Sequence, residues 1–145
     1  MSAKIVIGLD GSGSGERAVA YARKQAKLIG DCELIAVYVI EWSPYSFQTP
    51  EENEERHKRR NEEIAAAESR IVSPAVKKLK GDGFSARGIV KHGHVADLLN
   101  SVAVEEGADQ IVVARSSDGG LASRVFGTST ANLVMTAAVP VTVVG

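Results

Sequence analysis

Hydrophobic and polar positions follow two alternating patterns along the chain. The first pattern is a short run of apolar, mostly β-branched residues, which is typical of a strand buried on both faces of a parallel sheet. Five such runs predict strands over residues 5–9, 34–40, 86–90, 111–114 and 141–144.

The second pattern repeats apolar residues at the spacing of an amphipathic helix, and it occupies the segments between the runs. It predicts a helix over residues 16–29, which Gly30 ends, and a second helix from residue 95. In a third helix after Gly127, we expect one face to pack inward; its apolar positions are Ala131, Val134, Met135 and Ala138.

The segment 51–80 begins with the charged stretch "EENEERHKRRNEE" and becomes amphipathic in its second half. The charged stretch is interpreted as the solvated face of a helix. Pro74 is predicted to kink or divide this helix, because proline removes a backbone donor and crowds the preceding turn.

Strands that alternate with helices indicate right-handed crossovers. The sequence therefore predicts a single α/β domain over residues 1–145. We expect a doubly wound, five-stranded parallel sheet with helices on both faces.

Composition narrows the range of partners. The net charge is −1, so we expect no nucleic-acid partner, which would require a basic face. Cys32 is the only cysteine and is interpreted as a small buried apolar residue. The chain shows no signal peptide and no apolar run near the roughly 20 residues of a membrane helix. We expect a cytoplasmic protein with no membrane partner.

Ligands of open parallel sheets bind beyond the carboxyl ends of the strands, where the winding reverses. Asp10 ends the first strand, and the stretch "ARSSDGGLASRVFGTSTA" follows the fourth. A helix beginning near Thr128 and Ser129 would attract anions through its dipole and unpaired N–H groups. Three glycines would let the backbone approach a ligand closely: Gly119, Gly120 and Gly127.

Other motifs are weak. There is no Walker-type G-x-x-x-x-G-K-S/T, and the "GSGERA" match to a dinucleotide pattern begins several residues after its strand. The aromatic stretch 41–52 is either a lid or a surface loop. His92 and His94 lack neighbouring ligands at metal-site spacing, so both are interpreted as surface or loop histidines.

Three segments, residues 4–26, 33–41 and 89–145, together resemble the universal stress protein family. They begin "KIVIGLDGSGSGERA", "ELIAVYVIE" and "IVKHGHVADLLNS", and residues 42–80 have no match. The resemblance implies the strand order 3-2-1-4-5. It also implies a homodimer in which the strand over residues 141–144 pairs with its copy.

The nucleotide-binding branch of that family carries G-x-x-G-x(9)-G-S/T after the fourth strand. Gly127 and Thr128 match the late pair, whereas Ala114 and Ser117 stand where the early glycines would be. A left-handed backbone at Ala114 would cost roughly 1 kcal/mol or more.

The resemblance implies that Asp10 contacts the adenosine part and that the Val39 backbone contacts adenine. The phosphates would lie against the loop from Ser116 to Gly120 and against the helix start at Gly127, Thr128 and Ser129. The predicted site comprises Asp10, Val39, Ala114, Ser116, Ser117, Gly119, Gly120, Gly127, Thr128 and Ser129.

The resulting hypothesis is a dimeric stress-response sensor or regulator. It would bind an adenine nucleotide, ATP or AMP, with or without Mg²⁺, and would signal to an unidentified protein partner. One alternative is an interaction module of the same family that holds no nucleotide. Another is a slow nucleotide hydrolase using Asp10, Asp118 and His94, although the sequence shows no evident base or metal ligand set.

Overall fold

The computed structural model describes residues 2–11, 13–41, 50–115 and 128–145, leaving aside the side chains of residues 14, 53 and 128. Its strands form one parallel sheet in the order β3-β2-β1-β4-β5, which confirms the predicted fold class and order. The strands are β1 Ala3–Leu9, β2 Cys32–Glu41, β3 Ser85–Gly93, β4 Gln110–Ala114 and β5 Val141–Val144.

Helices cover both faces of this sheet. They are α1 Gly13–Ile29, α2 Pro50–Ala67, α3 Ser73–Gly81, α4 Val95–Glu106 and α5 Thr128–Thr136. Side chains alternate between the faces along each strand. Leu34 of β2 packs with α1 and α3, whereas Ile35 packs with α4 and α5. The core is therefore two apolar layers separated by the sheet.

Helix α5 differs from the sequence-based expectation. Leu133 is buried, whereas Val134 and Met135 are 51% and 83% exposed, so the predicted inward face was wrong. The buried face differs because α5 packs chiefly against α4 rather than flat on the sheet. Leu133 of α5 and Ala137, the residue that follows the helix, therefore form the contact with the core.

A π-helical turn, Glu68–Val72, separates α2 from α3. The N–H of Ser73 donates to the carbonyl of Glu68, five residues earlier. Pro74 then lies in the first turn of α3, where its fixed φ suits a helix. Pro74 was predicted to kink or divide the helix; the backbone stays helical from Pro50 to Gly81, and the α-helical pattern is interrupted only by this π turn directly before Pro74.

The π turn packs on β3 at a glycine. A Cβ atom at Gly88 would overlap Cγ1 of Val72, and it would lie 3.3 Å from Cγ2 of Val76. Val72 is itself buried. The absence of a side chain at Gly88 therefore allows the close contact between the π turn and the sheet.

A cluster of charged side chains lies at the end of the sheet where β2 begins. Arg87 of β3 donates to Glu33 of β2, with 3.1 Å between Nε and Oε1, and also to Glu106 at the end of α4. The hydrogen bond to Glu106 raises the pKa of Arg87, and the same bond holds the pKa of Glu106 below its usual value. This network links three elements.

Cys32 is buried in the core beside α1, as expected. Burial raises the pKa of its thiol, with smaller contributions from Asp109 and Asp31. A thiol held in this way is a poor nucleophile. Within the described ranges, no helix combines the length and apolarity that a membrane-spanning segment requires.

Candidate functional site

A crevice opens at the carboxyl ends of β1 and β4. These strands pair only from Ile5 with Gln110 to Ile7 with Val112, whereas β1 and β2 stay paired as far as Leu9 and Tyr38. Beyond Ile7, β1 and β4 therefore separate. This is also the point where the connections turn to opposite sides of the sheet, which is the usual ligand position in such folds.

The crevice continues into a cleft of about 420 Å³, a volume in the range of small-molecule sites. Its floor is apolar and includes Leu99 and Val113. Its polar rim comes from separate elements, with Asp10 on one side and Ser129 and Thr130 of α5 on another. An apolar floor with a few polar groups around it is typical of a ligand site.

The structure brings together the predicted site residues that it describes. Asp10, Val39, Ala114 and Ser129 all line the cleft. Thr128 is the first residue of α5, beside Ser129. The remaining predicted residues lie outside the described residues: Ser116, Ser117, Gly119, Gly120 and Gly127.

Ala114 fits the end of β4 without strain. It pairs with Val144 of β5, and no non-glycine residue in the described part of the chain has a positive φ. Its methyl group packs against the core layer on the α1 side. The cost of a left-handed alanine, considered above, therefore does not apply here.

The amino-terminal end of α5 faces the cleft, because Ser129 and Thr130 lie in its first turn and line the cavity. The first turn of a helix leaves backbone N–H groups without intrahelical partners, and the helix dipole adds a partial positive charge. The first turn contains no acidic side chain. This end of the cleft is therefore suited to an anion.

One glycine at the site was not predicted from the sequence. A Cβ atom at Gly8 would lie 2.9 Å from Cγ1 of Val113 and 3.1 Å from Cδ1 of Leu99, so Gly8 allows those side chains to form the floor. A glycine inside an apolar strand, such as Gly8, is a signal of close packing that could have been used.

Asp10 and His94, two of the residues considered for hydrolysis, line different cavities. Asp10 lines the cleft, whereas His94 lines a neighbouring depression with Asp97 and Asn132. Asp118 lies outside the described residues. Within the described ranges, no group of three or more His, Cys, Asp and Glu residues could hold a metal ion.

The interpretation of His92 as a surface or loop residue was wrong. It lies in β3, which extends to Gly93, and its side chain is only 10% exposed. Its Nε2 is 3.0 Å from Oε2 of Glu63 on α2. The polar residues at the end of this strand concealed its length, since the predicted strand stopped at Val90.

The fold and the crevice define a doubly wound α/β protein with a candidate ligand site at the switch point of its sheet. The model of the universal stress protein family matches residues 1–145. The chain therefore belongs to the universal stress protein family.

Solved structures share this fold. UspA from Lactobacillus plantarum is 19% identical, with a TM-score of 0.82, and the match covers 99% of this chain and 97% of that one. A universal stress protein in complex with cAMP is 25% identical, with a TM-score of 0.68 and coverage of 99% and 96%. The Archaeoglobus fulgidus protein in complex with dAMP is 18% identical, with a TM-score of 0.62 and coverage of 100% and 98%.

The search of curated proteins gave no match.

Proposed function

We propose that the cleft binds an adenine nucleotide and that the protein is a sensor or regulator in the stress response. The observation that carries the proposal is the shared cleft: Asp10 and the amino-terminal end of α5 line one cavity at the switch point. The complexes of two family members with cAMP and dAMP, both adenine nucleotides, support it.

Each side of the cleft suits a different part of the nucleotide. The carboxylate of Asp10 would accept hydrogen bonds from the ribose hydroxyls. The first turn of α5, with the hydroxyls of Ser129 and Thr130, would donate to the phosphates. The loop from Ser116 to Gly120 and Gly127 remain predicted phosphate contacts.

The end of β2 is suited to the base. β2 continues to Glu41, three residues beyond Tyr38, its last pair with β1. Val39 and Ile40 in this extension line the cleft. A strand end that extends past its neighbour can offer backbone groups to the polar edge of adenine, while Val39 packs beneath.

Thermal unfolding with and without ATP, ADP, AMP and cAMP tests the proposal. A nucleotide present at about 100 times its dissociation constant should stabilise the fold by about 2.7 kcal/mol, which raises Tm by several degrees. No shift with any of the four would contradict the proposal and favour the interaction module that holds no nucleotide. GTP is the control for recognition of the base.

We further propose that the protein is a homodimer formed through β5. This strand lies at one edge of the sheet, and its four residues are half-buried. The carbonyls of Pro140 and Val144 accept hydrogen bonds from residues of β4 and the residue after it. Successive residues of a strand direct their backbone N–H and C=O groups to opposite sides. The backbone groups of Val141 and Val143 therefore point away from β4, where a second copy can pair.

Replacing Val143 by proline is expected to convert the dimer to a monomer. The substitution removes an N–H group that faces away from β4, so the pairing of β5 with β4 survives. The mass in solution, measured by light scattering after size-exclusion chromatography, should fall by half. Thr142→Val is the control, since it keeps every backbone donor, and its mass should not change. A Val143→Pro protein that keeps the wild-type mass would contradict the β5 interface.

A further inference from the structure

A second cavity lies on the other side of the loop that follows β1. It is a groove of about 270 Å³ between α1 on one side and the π turn and α3 on the other. Val19, Ile71 and Leu79 form an apolar floor. The groove and the nucleotide cleft share only Leu9 and Gly15 among their lining residues.

The rim of the groove carries an excess of positive charge. Arg23, Arg70 and Lys78 line it together with one acid, Glu16. Arg23 pairs with Asp82, with 2.8 Å between Nη1 and Oδ2. Counting Asp82, three cations face two anions, which leaves one positive charge beside an apolar floor.

Arg70 and Lys78 supply this excess. Within the described part of the chain, neither has an ion-pair partner, and both are exposed at the mouth of the groove. Arg70 lies in the π turn, as does Ile71 of the floor. π turns are rare and occur frequently at functional sites, and this one forms a wall of the cavity.

We propose that this groove binds a small amphipathic monoanion, an acid with one carboxylate on an aliphatic body of medium length. The body would lie on Val19, Ile71 and Leu79, and the carboxylate would lie between Arg70 and Lys78. The groove, at about 270 Å³, is smaller than the cleft of about 420 Å³, so a short chain such as one of eight carbons is the suitable probe. Among the described residues, the groove shares only Leu9 and Gly15 with the cleft, so the proposal is independent of the function proposed for the cleft.

Octanoate and octan-1-ol are the probes, because they share the chain and differ in charge. Titration of the ¹⁵N-labelled protein with millimolar octanoate should shift the backbone amide signals of Gly11, Val19 and Ile71, and octan-1-ol should bind more weakly. Shifts elsewhere, no shift, or equal affinities for the two probes would overturn the proposal.

Charge variants then test the rim. Each of Arg70→Gln and Lys78→Gln should weaken octanoate binding about two- to fivefold, as expected for an exposed charge pair, and leave octan-1-ol binding unchanged. Lys77→Gln is the matched control, since it removes the same charge from an exposed residue of α3 that does not line the groove. An equal loss in the control would mean a general attraction of anions and would overturn the site.

A filling variant tests the cavity itself. Ala20 is exposed on α1 and lines the groove, so Ala20→Leu occupies its volume without entering the core. Both probes should lose affinity at least about tenfold, the effect of roughly 1.4 kcal/mol. Thermal unfolding of the variant should match the wild type. Unchanged binding of octanoate to a folded Ala20→Leu protein would place the ligand elsewhere.

Discussion

Replacement of Ser129 by glutamate is expected to abolish phosphate-dependent nucleotide binding and to leave the fold intact. Ser129 is the second residue of α5 and lines the cleft. A carboxylate there would stand beside the expected position of the phosphates. Juxtaposed like charges cost several kcal/mol, so the affinity for ATP should fall at least about 100-fold.

The stability of the same variant should not fall. An acidic side chain in the first turn of a helix interacts favourably with the dipole, by about 0.3–1 kcal/mol. Binding and stability should therefore change in opposite directions. Loss of binding could not then be attributed to unfolding, and chemical denaturation measures this directly.

The control for Ser129→Glu is Asn132→Glu, which adds the same charge on the same helix. Asn132 is exposed and does not line the cleft, so its substitution should change the ATP affinity only slightly. Adenosine has no phosphates, so its binding reports only on the other end of the site. Its affinity should be unchanged in Ser129→Glu and lower in Asp10→Asn. Equal ATP affinities in the wild type and Ser129→Glu would show that the phosphates do not lie at α5.

The second large effect is expected at Gly88, where alanine should destabilise the protein. Its Cβ would overlap Cγ1 of the buried Val72 and press on Val76. Overpacking in a core typically costs about 1–3 kcal/mol, and a direct overlap places Gly88→Ala near the upper value. The free energy of unfolding in urea measures the loss.

A double-mutant cycle with Val72→Ala tests the cause. Val72→Ala alone leaves a cavity and should cost about 2 kcal/mol, but it also removes the atom that Gly88→Ala would strike. The double variant should therefore be more stable, by about 1–3 kcal/mol, than the sum of the two single losses would predict. Additive losses would contradict the proposed contact.

Gly81→Ala is the control for the effect of the glycine itself. Gly81 ends α3, and a Cβ there would meet nothing within 4 Å. Alanine should be neutral or should stabilise the fold by up to about 1 kcal/mol, because it restricts the unfolded chain. A loss at Gly81 as large as at Gly88 would assign the effect to backbone freedom rather than packing.

The sequence predicted the sheet well because its strands are buried on both faces and leave nearly continuous apolar runs. The prediction failed where the polarity of a residue does not indicate whether its side chain is buried. β3 continues through Lys91 and His92 to Gly93, and polar residues hide that extension. On α5, the apolar positions gave the wrong face because the helix packs on α4, a neighbour that its own pattern does not specify.

The candidate site was predictable for a different reason. Asp10 and Ser129 are found by their positions at a strand end and a helix start, which the topology brings to one edge, whereas Ala114 and Val39 follow from the family resemblance. Gly8 and Gly88 depend on contacts between side chains far apart in sequence, which no local pattern encodes. The groove between α1 and α3 depends on such contacts as well.

The place of β1 at the centre of the sheet bears on how the protein is made. β1 precedes the other strands in the chain and can pair early with β2, whereas its other neighbour, β4, is synthesised only after α2, α3, β3 and α4. Until β4 arrives, one edge of the central strand lacks that partner, and the crevice between β1 and β4 does not exist. A nascent chain therefore forms this cleft only after β4 has been synthesised, when the β1-β2-β3 half has already had time to form.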